Sequence, residues 1–146
     1  MPVTSKVVRH SRHEMVKHDG TAVGSILAGQ AVVENGDGTV EAGSDGTSRL
    51  LVAKDDRERG MELADEYEDG ENIIYLDVSG GGLNMLLADG ETYDPNTENM
   101  LVLDEDGFLV PYDDEGDEED DVVAIGAEDE EIEASGAPEP ISVEVA

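Results

Sequence analysis

The stretch that decides the fold runs Tyr67-Glu68-Asp69-Gly70, Glu71-Asn72-Ile73-Ile74-Tyr75-Leu76-Asp77-Val78, Ser79-Gly80-Gly81-Gly82, then Leu83-Asn84-Met85-Leu86-Leu87-Ala88-Asp89. Its first run is rich in β-branched and aromatic residues, and Ile74, Leu76 and Val78 alternate with Tyr75 and Asp77. That alternation is what a strand with one buried face requires. Glycines 80 to 82 take positive backbone angles without steric penalty, so the chain can reverse there into a second strand, Leu83 to Ala88. The expectation is a central hairpin.

Similar units extend in both directions. On the N-terminal side, Thr21 to Leu27 lead through Ala28-Gly29 into Gln30 to Glu34; Asn35-Gly36-Asp37-Gly38 is a turn, and Thr39 to Ala42 return. Arg49 to Ala53 form a short apolar run fit for a buried strand, and Lys54 to Glu66, interrupted by Gly60, reads as a loop. On the C-terminal side, Met100 to Leu103 and Phe108 to Tyr112 flank Asp104-Glu105-Asp106-Gly107 as another hairpin, with Pro111 marking an edge or a strand end. An acidic loop from Asp113 to Asp121, an apolar run from Val122 to Ala127, and the alternating Ile141-Ser142-Val143-Glu144-Val145 complete the chain. Short strands divided by Gly, Asp and Asn corners, without a long amphipathic helix, predict an all-β protein: a compact antiparallel β-barrel or sandwich.

The chain of 146 residues carries 38 acidic against 8 basic side chains, a formal net charge of −30. Such a surface repels itself in dilute buffer, whereas in roughly 1 M salt the screening length falls to about 3 Å. Three lysines, one phenylalanine, no tryptophan and abundant Ala, Gly, Val, Asp and Glu resemble the proteins of salt-in halophiles, especially haloarchaea and their viruses. Evenly spaced apolar runs argue against a disordered acidic chain. Cysteine is absent, which excludes a disulfide scaffold and thiolate metal sites. The opening residues lack a signal-peptide apolar run and no stretch is long enough to span a membrane, so the product is expected to be soluble and to stay where it is made unless a larger particle carries it out.

Residues 1 to 18 oppose this charge, with Lys6, Arg9, Arg12 and Lys17 against Glu14 alone, a formal +3; the remainder carries −33. An extended basic N-terminal arm over residues 1–19, followed by a single acidic β-barrel domain over residues 20–146, is the expected organisation. The arm's polarity fits docking on an acidic partner, and Val3, Val7 and Val8 suit strand addition to a partner's sheet edge. The bland reading of the same segment is a frayed tail. His10, His13 and His18 also lie here, but they lack the carboxylate or cysteine company of a metal site.

Signatures of chemistry are missing where they were sought. Placing Gly107 or Gly116 at position 6 of a twelve-residue calcium loop puts Val102 or Pro111 at position 1, where an oxygen ligand is needed. The triple glycine is not followed by the Gly-Lys-Ser or Gly-Lys-Thr of a phosphate loop. No Gly-x-Ser-x-Gly elbow occurs, and histidine is confined to the arm, so a serine triad lacks a base in the body. Carboxylate pairs are too numerous for any one to indicate glycoside chemistry. The charge opposes nucleic-acid binding by the body. The expectation is no enzyme, no cofactor and no metal.

The order of Ala28-Gly29-Gln30-Ala31, the Gly-Asp-Gly turn, Leu51-Val52-Ala53, Tyr67 with Gly70, Met85-Leu86-Leu87-Ala88 with Gly90, Leu101-Val102 with Asp106-Gly107, Ala124 to Glu128, and Ile141 to Ala146 resembles tailed-virus head decoration proteins, also called capsid cement proteins. The resemblance spans most of residues 20 to 146 and leaves the arm uncovered. It implies a small β-rich protein, often trimeric, assembled in the host cytoplasm and bound to the outer surface of an icosahedral head, where it bridges major capsid protein subunits. Direct contact with nucleic acid or membrane is not expected. The residues expected to dock on the capsid are Val3, Lys6, Val7, Val8, Arg9, Arg12 and Lys17. The competing class is a free-standing halophilic β-barrel binding module or an acidic mimic of DNA.

Overall fold

A computed structural model describes residues 6–10, 15–44, 50–97, 99–113, 115–117 and 121–145. The expected all-β architecture is what it shows. In chain order the strands are β1 (Val8–His10), β2 (Met15–Val23), β3 (Ile26–Leu27), β4 (Val32–Glu34), β5 (Thr39–Ala42), β6 (Leu50–Ala53), β7 (Glu66–Tyr67) and β8 (Asn72–Val78). They continue with β9 (Gly81–Leu87), β10 (Thr92–Tyr93), β11 (Met100–Leu103), β12 (Leu109–Pro111), β13 (Ala124–Gly126), β14 (Ile132–Glu133) and β15 (Glu139–Val145). Among the described residues the helical content is 3-10 only: the turn Arg57–Arg59, in the expected loop, and the single residue Asp121.

The central stretch is two strands but not a hairpin. β8 pairs with β2 and β6, while β9 pairs with β15, β1 and β12, so the glycine corner carries the chain from one sheet to another. Burial gives the reason. Ile73 and Tyr75 on one face of β8, and Leu76 and Val78 on the other, are all buried, and so is every residue of β9. Strands buried on both faces belong in the interior of a sheet, with neighbours on either side. The hairpins expected around Asn35–Gly38 and Asp104–Gly107 do form, with Glu34 opposite Val40 and Leu103 opposite Leu109. The alternation of the last strand is also present: Ile141 and Val143 are buried, and their neighbours are partly exposed.

Two rings of five strands result. The second runs β9-β12-β11-β13-β15 and closes through β15 on β9; its β9–β12 seam is parallel and the other pairings are antiparallel. The first runs β2-β5-β4, then crosses from Ala31 to Val52 in β6, and returns through β8 to β2. Its β2–β5 seam is parallel and the rest is antiparallel. Taken in sequence order, β2 to β8 and β9 to β15 therefore have the same topology, strand for strand. Even the small sheets correspond, β3 with β7 and β10 with β14. The Ala31–Val52 bridge has its counterpart in the Met100–Ile125 pair.

The rings meet where the second hairpin lodges against the first ring. Ala31 N–H donates to Gly107 O at 2.9 Å and Gln30 Nε2 to Asp106 O at 2.6 Å. Leu86 N–H reaches Gly29 O at 3.3 Å. One hydrophobic core includes side chains of both rings, from Ile26, Val52 and Tyr67 to Leu83, Leu101 and Ile141.

Tyr67 is fully buried, and its hydroxyl donates to Lys54 O. Burial pushes its phenol up to about 12 from the ordinary 10.0. The folded state thus favours the neutral phenol, and this contribution to stability is whole below pH 10.0 and is lost as pH rises toward about 12. Equilibrium unfolding followed across that window should show stability falling in the native chain and a flatter profile in Tyr67→Phe. Parallel profiles would show that Tyr67 does not govern the alkaline limb.

Candidate docking surface

The segment expected to be a free arm is partly built into the body. β1 adds antiparallel to the start of β9, with Val8 opposite Leu83 and His10 opposite Gly82. β2 runs unbroken from Met15 through Val23, so the boundary expected after residue 19 falls inside a strand. Lys6 to His10 and Met15 to Asp19 are thus strand and strap, not arm. The physical reason is that the β-branched pattern read as suited to a partner's edge is satisfied by the chain's own sheets.

Two buried polar side chains hold the strap, one from each ring. Asp55, 1% exposed, follows β6 and accepts the Val7 N–H on Oδ1 at 2.8 Å; its Oδ2 lies 3.6 Å from the Arg57 guanidinium. Asn84, 3% exposed, stands in the apolar run of β9. Its main-chain N–H donates to Val7 O at 2.6 Å, its Nδ2 donates to Lys6 O at 2.9 Å, and its Oδ1 accepts the Ser142 hydroxyl at 2.7 Å. A buried polar group needs such partners, because leaving one unmade costs about 1–3 kcal/mol. Neither residue was singled out from sequence. A lone Asn inside Leu83 to Leu87 was the available signal for one; Asp55, among many carboxylates, gave none.

The expected docking residues accordingly part company. Val7 is wholly buried, which removes its side chain from the outer surface. Arg9 donates to Val143 O at 3.1 Å and pairs with Glu144 at 2.8 Å, fastening β1 to the end of β15. Val8 is half-buried against the core, while Lys6 and Lys17 are exposed. Val3 and Arg12 lie outside the described residues. His18 stacks on Tyr75, with ring centroids 5.5 Å apart, and Tyr75 in turn donates to Glu34. The side chains of His10 and His13 lie outside the described residues, among which no cluster of His, Asp and Glu could hold a metal. Among the described residues before residue 20 the exposed cations are thus Lys6, Arg9 and Lys17, and of these Arg9 is held by Glu144.

Asp55→Ala should lower the unfolding free energy by about 2 kcal/mol, because it strips the acceptor from a buried N–H. Asp55→Asn, which keeps a carbonyl oxygen there, should lose less. Urea unfolding gives the energies, and hydrogen exchange at Val7 shows whether the strap is released; unchanged Val7 protection in Asp55→Ala would remove Asp55 as its anchor.

No protein-family model and no curated protein matches the chain by sequence. Among solved structures it is similar to the N base of the head fiber protein gp8.5 of bacteriophage phi29, with a TM-score of 0.55 and 14% sequence identity, over 90% of this chain and 94% of that one. The likeness is one of fold. It covers both rings, since 90% of the chain cannot be drawn from either ring alone.

Proposed function

We propose that this chain is a structural protein of a tailed-virus head, a cement protein that sits on the outer face of an icosahedral shell and bridges major capsid protein subunits. The observation that carries the reading is the near full-length likeness of the two-ring fold to a head fiber base. The order of motifs in the sequence supports it independently. On this reading the protein works by binding rather than catalysis, associates with copies of itself, most simply as a trimer, and belongs to a virus of a haloarchaeal host, whose strong brine its −30 charge would suit.

The pairing of Arg9 and the exposure of the two lysines support a particular way of binding. Arg9 is engaged with Glu144, so Lys6 and Lys17 are the cations before residue 20 that the described surface leaves for an acidic shell. Exposed ion pairs each contribute well under about 1 kcal/mol, less in brine, so repetition over many copies together with main-chain and apolar contacts supplies the hold.

The test is the mass ratio of this chain to the shell protein in purified virions. A fixed ratio that survives repeated washing in molar KCl is expected, and heads stripped of it should recover the same ratio on adding it back. Absence from virions, or a ratio that varies from one preparation to the next, would sink the reading. Lys6→Glu combined with Lys17→Glu should lower occupancy on stripped heads; full occupancy would remove these lysines from the contact.

A further inference from the structure

Among the described residues β2 is paired along its whole N-terminal part on one side alone. Against β8 the register runs without a break from Met15 opposite Val78 to Thr21 opposite Asn72. On the other side β5 meets only Thr21, Ala22 and Val23. Thr21 N–H donates to Gly38 O on the β5 side, and Ala22 N–H donates to Glu71 O on the β8 side. Successive residues of a strand address opposite edges, so Met15, Lys17 and Asp19 turn their main-chain groups away from β8. No strand among the described residues pairs with them there.

The second ring treats its matching strand differently. β9 is met by β12 at Leu87 and, nearer its start, by β1 and Val7 at Gly82, Leu83 and Asn84. Among the described residues the same place in the repeated fold is therefore covered in one ring and open in the other. What covers it in the second ring is an extended segment of this chain's own sequence.

Side chains on β2 agree with a covered edge. Among the described residues the two exposed large hydrophobic side chains, Val16 at 54% and Val23 at 41%, both lie on this strand. Met15 to Asp19 carry Lys17 against Asp19, which makes the stretch neutral on a chain whose residues beyond 18 total −33. Unpaired strand edges are templates for strand addition, and a neutral one invites an acidic strand that the remaining surface would repel.

We propose that the open edge of β2 at Met15–Asp19 receives an extended segment of a second copy of this chain, completing between copies what β1 completes within the chain on β9. The inference rests on the self-association named above and gives it a location. Main-chain pairing supplies the contact, which brine weakens far less than it weakens exposed ion pairs.

Sedimentation and amide hydrogen exchange in molar KCl, over a series of protein concentrations, test it on the native chain. Expected is association, with Lys17 and Asp19 amides gaining protection as copies associate. Lys17→Pro removes the edge-facing N–H while leaving the β8 ladder intact, and should weaken association by about tenfold or more with an unchanged circular dichroism spectrum. Should that variant misfold, Val16→Asp, at an exposed side chain, serves in its place. A chain that associates without protecting Lys17 and Asp19, or equally well as Lys17→Pro, overturns the location and leaves self-association standing. Full protection at the lowest concentration means that the chain's own residues cover the edge, which also overturns it. A chain that stays monomeric throughout overturns the self-association reading as well.

Discussion

Gly107→Ala is expected to lower the unfolding free energy by about 3 kcal/mol or more, and Gly38→Ala, at the same position of the other ring's hairpin, by only about 1 kcal/mol. Both glycines have left-handed backbone, with φ of +85° and +90°. An alanine at either place pays that conformational penalty. A methyl on Gly38 meets nothing within 4 Å, but on Gly107 it would lie 2.3 Å from Ala31 O and 3.1 Å from Gly43 N. Backbone atoms cannot rotate aside as a side chain can, so the second hairpin would have to lift off the first ring, losing the Ala31–Gly107 and Gln30–Asp106 hydrogen bonds. Urea unfolding in molar KCl gives the two energies. Equal losses would mean that the rings do not meet as described.

The second large effect is that of salt. Raising KCl from about 0.1 M to several molar should raise the melting temperature by about 10 °C or more, because the screening length shrinks from about 10 Å to below 3 Å and the mutual repulsion of the carboxylates is screened. Few cations are available to do this internally. Of the described arginines, Arg9 faces Glu144, Arg57 faces Asp55 and Arg59 faces Glu71, against 38 acidic residues in the chain. Potassium chloride is the informative salt, since sulfate also strengthens apolar burial. A matched concentration of sorbitol should do much less. A melting temperature indifferent to KCl would show that the charge is not what limits stability.

The site was less legible than the fold. The basic character and β-branched pattern of residues 6 to 18 were plain, and so was the extended conformation of Val8–His10 and of the start of β2. What they pair with was not, because a strand's sequence announces that an edge is to be filled without naming the filler. Asp55 and Asn84, which decide the matter by bonding Val7 and Lys6, are ordinary residues until the fold buries them. Exposed Val16 and the open side of β2 likewise carry no mark in the sequence, since the same residues would be interior had a further strand lain beside them.

Local chemistry alone settled that the protein is all β, where the hairpins at Asn35–Gly38 and Asp104–Gly107 turn, and that Ile141 and Val143 point inward from the last strand. These are properties of neighbouring residues: alternation has a period of two, and left-handed turns need Gly or Asn. The tertiary structure alone decided that Asn72–Val78 and Gly81–Leu87 part into different sheets, that the seven-strand arrangement occurs twice, and that Val7 to His10 fasten to the second ring. Those outcomes depend on residues tens of positions apart, such as Val7 with Asp55 and Leu83 with Val143, being buried together when each ring closes.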